Sequence, residues 1–347
     1  MSCLIFALLP LMSALAGDSV AATARSTMES DAPHIRQLAF DGDESTSFLS
    51  KNAAAADDQF TLTFDKPVAL RSVRILAGTD ENANGLDGGA IEVSEDGKTF
   101  TELAPLTGAE TTAEGNDRNV TAIRLKPKGE PGGPVEIREI TIESTPPVAR
   151  FTAPVEYIVD VSDAPEMADW AESAVKACER AYPMICEELK SDGFQPPNII
   201  HMRLKSDYKG VAEASGTRIT GSVGFFKAHP DDLGAMVHET THVVQRYRGR
   251  GNPGWLVEGV ADYIRFFKYE PGNVGPINPN RAHYNSSYRV TASFLDYLTR
   301  TYDKSIVPDL NAAMREGRYD ESIFEQRTGK TLPQLDEEWR ATLKKSS

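Results

Sequence analysis

The chain has 347 residues, 40% of them apolar and 25% charged, and a formal net charge of −14. That length and apolar content support a large buried core and favour two domains over one. The acidic balance excludes the basic surface that a nucleic acid or an anionic membrane would need in a partner.

The first stretch, MSCLIFALLPLMSALAG, carries no charge, has an apolar run broken by Pro10, and ends in the small-x-small pattern Ala14-Leu15-Ala16. It predicts a secretory signal over residues 1–16, and therefore export to a periplasm, a cell surface or the medium. No other segment is long and apolar enough to serve as a transmembrane anchor. A small, polar, flexible segment is expected over 17–32.

Residues 33–144 alternate like a β protein, in QFTLTFDKPVALRSVRILAG, GGAIEVSEDGKTFTEL, VTAIRLKPKG and VEIREITIES, with turn signals at Glu95-Asp96-Gly97 and Pro131-Gly132-Gly133. This is the pattern of an all-β sandwich. STPPVAR then reads as a proline-stiffened linker over 145–150. From 151 to 347 the texture becomes strand, helix, strand and then helices, the α+β signature of a separate domain. PVEYIVDVS and NIIHMRLK look like strands, and Glu166 to Lys190 like a helix apart from Pro183. PGWLVEGVADYIRFFKY, YRVTASFLDYLTRTY and TLPQLDEEWRATLKK carry apolar residues at three- and four-residue spacings and predict the later helices. Cys3 would leave with the signal. Cys178 and Cys186, eight apart on one helix, would lie roughly 12 Å from each other, beyond disulfide reach. Only a break at Pro183 could join them, and otherwise they are two thiols, most simply buried ones.

The stretch AMVHETTHVVQRY places His238 and His242 four residues apart, on one face of a helix, with Glu239 directly after the first. Two imidazoles so placed can bind one zinc ion, and the glutamate can act as general base on a water whose pKa that ion lowers to about 7. The competing reading is two histidines that merely satisfy themselves in a core or on a surface. A catalytic zinc normally has three protein ligands. Gln245 and Arg248 stand where a metzincin would have glycine and histidine, which disfavours that class. Sixteen residues after His242, Glu258 and Asp262 are again four apart, in the helix GWLVEGVADY. Glu258 can complete a His-His-Glu site, and Asp262 can accept the free N–H of a ligand imidazole. Their largely apolar neighbours argue against a solvated acidic face, since buried carboxylates need partners.

With HETTHVVQ, then GWLVEGVADYIR, then YRVTASFLDYL in this order, the chain resembles the basic secretory protein family, secreted plant and bacterial proteins regarded as zinc peptidases of the gluzincin type. The resemblance spans roughly Val155 to Lys344 and implies a zincin-like metallopeptidase domain. It implies His238, His242 and Glu258 as zinc ligands, Glu239 as the catalytic glutamate and Asp262 as the aspartate behind a ligand histidine. The chain departs from the family in being acidic. Its spacing from the second histidine to the glutamate is also shorter than in thermolysin, which leaves Asp262 as an alternative third ligand. A peptidase needs a donor for the oxyanion, and His283, Tyr284 and Tyr288 are candidates, Tyr288 first. TGSVGFF is read either as an edge strand that holds an extended peptide or as a buried structural strand.

Residues from about His34 to Glu143 resemble a discoidin or galactose-binding-type β-sandwich, of the F5/8 type C kind, through FDGDESTSF, FTLTFDKPVALRSVRIL, IEVSEDGKTFTELA, AIRLKPKG and IREITI. The DGDEST loop could hold a calcium ion through Asp43 and Thr46 with Asp41 and Glu139, because hard oxygen ligands suit that ion; an acidic turn without metal is the alternative. Such modules often bind glycans. The whole chain is thus expected to be a multidomain exported zinc metallopeptidase acting on peptide or protein. Its rivals are a zinc hydrolase of another bond and a non-catalytic glycan-binding adhesion protein.

Overall fold

Within residues 19–78, 86–128, 133–247 and 251–345, which the computed structural model describes, the chain divides into two units between Phe151 and Thr152. The first is built from β1 (Val20–Ser26), β2 (Phe48–Ala53), β3 (Phe60–Ala77), β4 (Ala90–Ser94), β5 (Thr101–Pro105), β6 (Glu110–Lys126), β7 (Pro134–Thr145) and β8 (Val148–Ala149). Their order is β2-β7-β3-β6-β4-β5, with β1 attached to β3 and β8. The long β3 explains the architecture. Its first part pairs with β1 and β6, its second with β6 and β7, and the register shifts between Thr63 and Val68, where Pro67 cannot donate to the ladder. The antiparallel sheet therefore curls over its own core, and Phe60, Leu62, Val68, Leu70 and Val73 are all fully buried.

Two expectations about the edges of this unit need correction. The segment read as flexible, 17–32, contains β1, which runs antiparallel to β3 from Ala22 opposite Phe64 to Ser26 opposite Phe60. Its small residues Ala22 and Ala24 are buried opposite Phe64 and Leu62. The stretch read as a linker, 145–150, begins inside β7 and holds β8, which pairs in parallel with β1. The predicted signal over 1–16 lies outside the described residues.

The second unit begins with β9 (Glu156–Asp160), α1 (Ala168–Glu188), β10 (Ile199–Lys205), β11 (Ala212–Ser215), β12 (Arg218–Ser222) and α2 (Val223–Ala228). Its sheet has the order β11-β12-β10-β9; β9, β10 and β12 are parallel and β11 is antiparallel to β12. TGSVGFF is thus no edge strand. Its first half lies in β12, paired on both sides, and its second half turns into α2, so β11 is the free edge on that side. Helix α1 continues through Pro183 without a break, and Cys178 and Cys186 are free thiols, the first buried and the second half-buried. Burial pushes both thiols up to about 12, which makes them inert.

The remaining elements are α3 (Gly234–Gln245), α4 (Gly254–Tyr263), a π-helical turn (Ile264–Tyr269), α5 (Tyr288–Thr301), α6 (Ile306–Glu316), α7 (Ser322–Thr328) and α8 (Leu332–Lys345). Helix α3 ends at Arg246, whose φ of 45° is left-handed. Its last carbonyls are capped from outside. Arg315 of α6 donates from Nη2 to the Val244 carbonyl at 3.0 Å and from Nε to the Gln245 carbonyl at 3.2 Å, placing a cation at the negative end of the helix. Underneath, the buried Tyr157 and Thr240 hydroxyls meet at 2.8 Å and tie α3 to β9. Helices α4 and α5 pack at Gly259, where a Cβ would stand 2.1 Å from Thr291 Cγ2. Glycine is required there, and the close approach brings the start of α5 beside the residue that precedes it, Glu258. Among the described residues no helix is long and apolar enough to cross a membrane.

Candidate metal centre

Helix α3 has a four-residue step between His238 and His242, and both rings project from the same face, with centroids 4.8 Å apart. Glu258, in the second turn of α4, reaches the same point. His238 Nε2 and His242 Nε2 are 3.1 Å apart, and Glu258 Oε2 lies 3.3 Å from the first and 3.4 Å from the second. A tetrahedral ion with bonds of about 2.0–2.1 Å separates its ligands by about 3.3 Å, so this triangle has the edge such an ion requires. Among the described residues it is the group of histidine, cysteine and carboxylate side chains compact enough to hold a metal.

The outer atoms of both rings fix which way the lone pairs face. Asp262, one helical turn beyond Glu258, accepts from His238 Nδ1 at 2.7 Å. His242 Nδ1 meets Gln245 Oε1 at 2.7 Å, and Gln245 Nε2 donates to the Val257 carbonyl at 2.9 Å. Because that carbonyl can only accept, the amide has one orientation, and its oxygen faces a protonated Nδ1. Both imidazoles therefore turn an Nε2 lone pair toward the Glu258 carboxylate. Two lone pairs and an anion within 3.4 Å of one another need a positive charge between them. Without a metal the side chains supply it as a proton. Burial opposes a charge on His238, but its hydrogen bonds to Asp262 and Glu258 raise its pKa to about 9. Burial likewise opposes the Glu258 anion, and the two imidazoles nevertheless hold that carboxyl down at about 2. The donor set, two neutral nitrogens and one carboxylate oxygen, fits a small divalent ion of zinc type.

Glu239 lies next to the triangle on α3 and is 9% exposed. Burial raises its pKa, which makes it a better proton acceptor than an ordinary surface carboxylate. It opens, with the triad, into a cleft of about 850 Å³. One wall is the free edge strand, through Ala212, Glu213 and Ala214; another carries Phe266, Tyr288 and Arg289. Arg265 in the π turn is neutralised by Asp232 at 2.5 Å and Glu270 at 2.6 Å, whereas Arg289 has no ion pair among the described residues and lies over the Phe266 ring, 4.7 Å from its centroid. Of the three candidate oxyanion donors, Tyr288 lines this cleft and is 53% exposed. His283 and Tyr284 do not line it. His283 turns toward Asn285 and Asp336, and Tyr284 packs edge-on against Trp255.

The sequence reading missed Gln245 as a participant and used it only to exclude a class of enzyme. The signal was present, since a glutamine three residues beyond His242 shares its helical face. Its meaning depends on a carbonyl of α4 that no spacing reveals.

In the first unit, Asp41, Thr46 and Glu139 do gather around one turn. Thr46 Oγ1 donates to Asp41 Oδ2 at 2.9 Å, and Gly42 N donates to Glu139 Oε2 at 3.0 Å. On the same turn Asp43 Oδ1 accepts from the Ser45 amide at 2.9 Å and the Ser45 hydroxyl at 2.6 Å, and Asp41 Oδ1 accepts from the Asp43 amide at 3.0 Å. Glu139 is 2% exposed, its Oε1 has no partner among the described residues, and burial pushes its carboxyl up to about 7.

A family model described as peptidase of plants and bacteria matches residues 161–339, and one described as F5/8 type C domain matches residues 21–140. The second match takes in β1 and bears out the galactose-binding-like reading of the first unit. No curated protein matches the chain. Among solved structures, a carbohydrate-binding module of a family 31 glycoside hydrolase from Clostridium perfringens is 22% identical, with 35% of this chain and 92% of that one covered and a TM-score of 0.31. A fucose binding module from Streptococcus pneumoniae is 13% identical, with 35% and 92% covered and a TM-score of 0.30. Chitosan-binding module 2 of a chitosanase/glucanase from Paenibacillus sp. IK-5, solved with chitotriose, is 15% identical, with 35% and 94% covered and a TM-score of 0.30.

Proposed function

We propose, from the premise that the chain belongs to the family of peptidases of plants and bacteria, that it is an exported zinc-dependent peptidase of gluzincin type. The observation that carries this reading is the triangle of His238, His242 and Glu258, with edges of 3.1 to 3.4 Å and the Nε2 atoms of both imidazoles turned inward. Those three residues would hold the ion. Zinc bound there supplies Lewis-acid polarisation of a carbonyl and acidifies water. Glu239, partly desolvated and beside the triad, takes the proton of the attacking water and delivers it to the leaving amine. Asp262 keeps His238 in the Nδ1–H tautomer with Nε2 free. Tyr288, on the cleft wall, donates to the oxyanion that develops at the attacked carbonyl. An extended peptide fits along the exposed edge of β11 on the opposite wall.

In the first unit we assign a calcium ion to Asp41, Asp43, Thr46 and Glu139, supported by the orphaned, buried Oε1 of Glu139 and by the hard oxygen donors around Gly42. A glycan is the partner proposed for this unit, on the strength of its F5/8 type C character.

Elemental analysis of the full chain, combined with cleavage of an unfolded protein by wild type and Glu239→Gln, tests the assignment. One equivalent of zinc in both proteins, with hydrolysis in the wild type alone, is expected. Activity unchanged by Glu239→Gln, or absence of zinc, contradicts it. Zinc retained with no cleavage of any peptide would favour hydrolysis of another bond, and a glycan signal without zinc or hydrolysis would favour an adhesion protein.

A further inference from the structure

We propose that Gln245 is a positioning residue that couples the two ligand-bearing helices and sets the tautomer of His242 for metal binding. The inference rests on the zinc reading of the site and deepens it. Gln245 is 2% exposed and makes two hydrogen bonds with different helices: Oε1 with His242 Nδ1 at 2.7 Å, within α3, and Nε2 to the Val257 carbonyl at 2.9 Å, in α4. Val257 directly precedes Glu258. A single planar amide thus fixes the orientation of one ligand ring and the backbone from which the next ligand hangs.

The two ligand histidines are consequently supported in unlike ways. His238 leans on the Asp262 carboxylate and His242 on a neutral amide. A second carboxylate behind His242 would add negative charge to a pocket that already holds Glu239, Glu258 and Asp262, and would lack the donor that Val257 accepts. A buried amide supplies an acceptor and a donor at once, with no net charge. Loss of the side chain would leave the half-buried His242 N–H without its acceptor and would remove the bond between helices to the Val257 carbonyl, which would keep only its partner in the ladder of α4.

The test uses the full chain, zinc alone as ligand, and a chromogenic chelator as competitor. Gln245→Met, which keeps length and removes both hydrogen bonds, is expected to weaken zinc binding by about 10- to 100-fold, the usual effect of losing a hydrogen-bond partner behind a metal ligand. Gln245→Glu, which restores the acceptor for His242, is expected to bind zinc more tightly than Gln245→Met. Affinity within twofold of wild type for Gln245→Met, or no recovery in Gln245→Glu, overturns the proposal while leaving the zinc reading intact. A wild type that binds no zinc overturns both. Long-range proton–nitrogen correlation spectra of the wild type need no variant to fold. They should report His242 as the Nδ1–H tautomer with and without zinc, and an Nε2–H tautomer in the metal-free protein would contradict the role.

Discussion

The two candidate ion sites of this molecule are made of different atoms and differ in how far their donors are arranged in advance. In the second unit three donor atoms already lie within 3.4 Å of one another, and the far side of each imidazole is held by a partner. In the first unit the hard oxygen donors come from Asp41, Asp43 and Thr46 on a turn and from Glu139 on β7, several of them spent on the turn's own amides and hydroxyls. The difference follows from the scaffold. A helix repeats its face every turn, so side chains four residues apart converge without help. A turn points its polar groups back at its own backbone, and an ion must compete with those hydrogen bonds. A preorganised nitrogen-rich site suits tight binding of zinc, and an oxygen site on a turn suits weaker binding of calcium.

The largest effect is expected at Glu239. Glu239→Gln should retain zinc and lower kcat by about 10²- to 10⁴-fold, the usual contribution of a general base, measured by steady-state hydrolysis of a peptide. Next comes Asp262→Asn, which should weaken zinc binding by about 10- to 100-fold without changing its stoichiometry, read by chelator competition. If Asp262 were itself the third ligand, zinc would be lost outright, and Glu258→Gln would be the milder change. Gly259→Ala forces a methyl group to 2.1 Å from Thr291. It should lower the stability of the second unit by about 1–3 kcal/mol, as overpacking does, with no effect on melting of the first unit in calorimetry. The smallest effect belongs to the turn site. Calcium at ten times its dissociation constant should stabilise the first unit by about 1.4 kcal/mol, and Glu139→Gln should remove that response while zinc binding stays unchanged.

The sequence made those parts legible that depend on a local period. The four-residue steps from His238 to His242 and from Glu258 to Asp262 predict shared faces, and the structure places each pair so. Spacing alone left the choice between Glu258 and Asp262 open. The structure separates them by height along α4, with Glu258 level with the two Nε2 atoms and Asp262 one turn further, against His238 Nδ1. The alternating runs of the sandwich were equally readable, because a strand with one buried face repeats every two residues. What lay beyond reading was set by partners distant in sequence. VAATARS has little apolar bulk and is a strand because β3 and β8 pair with it. TGSVGFF resembles an edge until β11 is seen to cover it. Pro183 stays inside α1, whose apolar face is buried along its length, since tertiary packing outweighs the cost of the missing backbone donor. Gln245 acquires its role only from the Val257 carbonyl.

His238, His242 and Glu258 are proposed to hold one zinc ion. Anomalous scattering at the zinc edge from crystals of the full chain tests it most directly. A single strong peak is expected in the second unit, about 2.0–2.2 Å from His238 Nε2, His242 Nε2 and a Glu258 oxygen. A peak bound through Asp262 in place of Glu258, or none between the two imidazoles of a zinc-saturated protein, would contradict it.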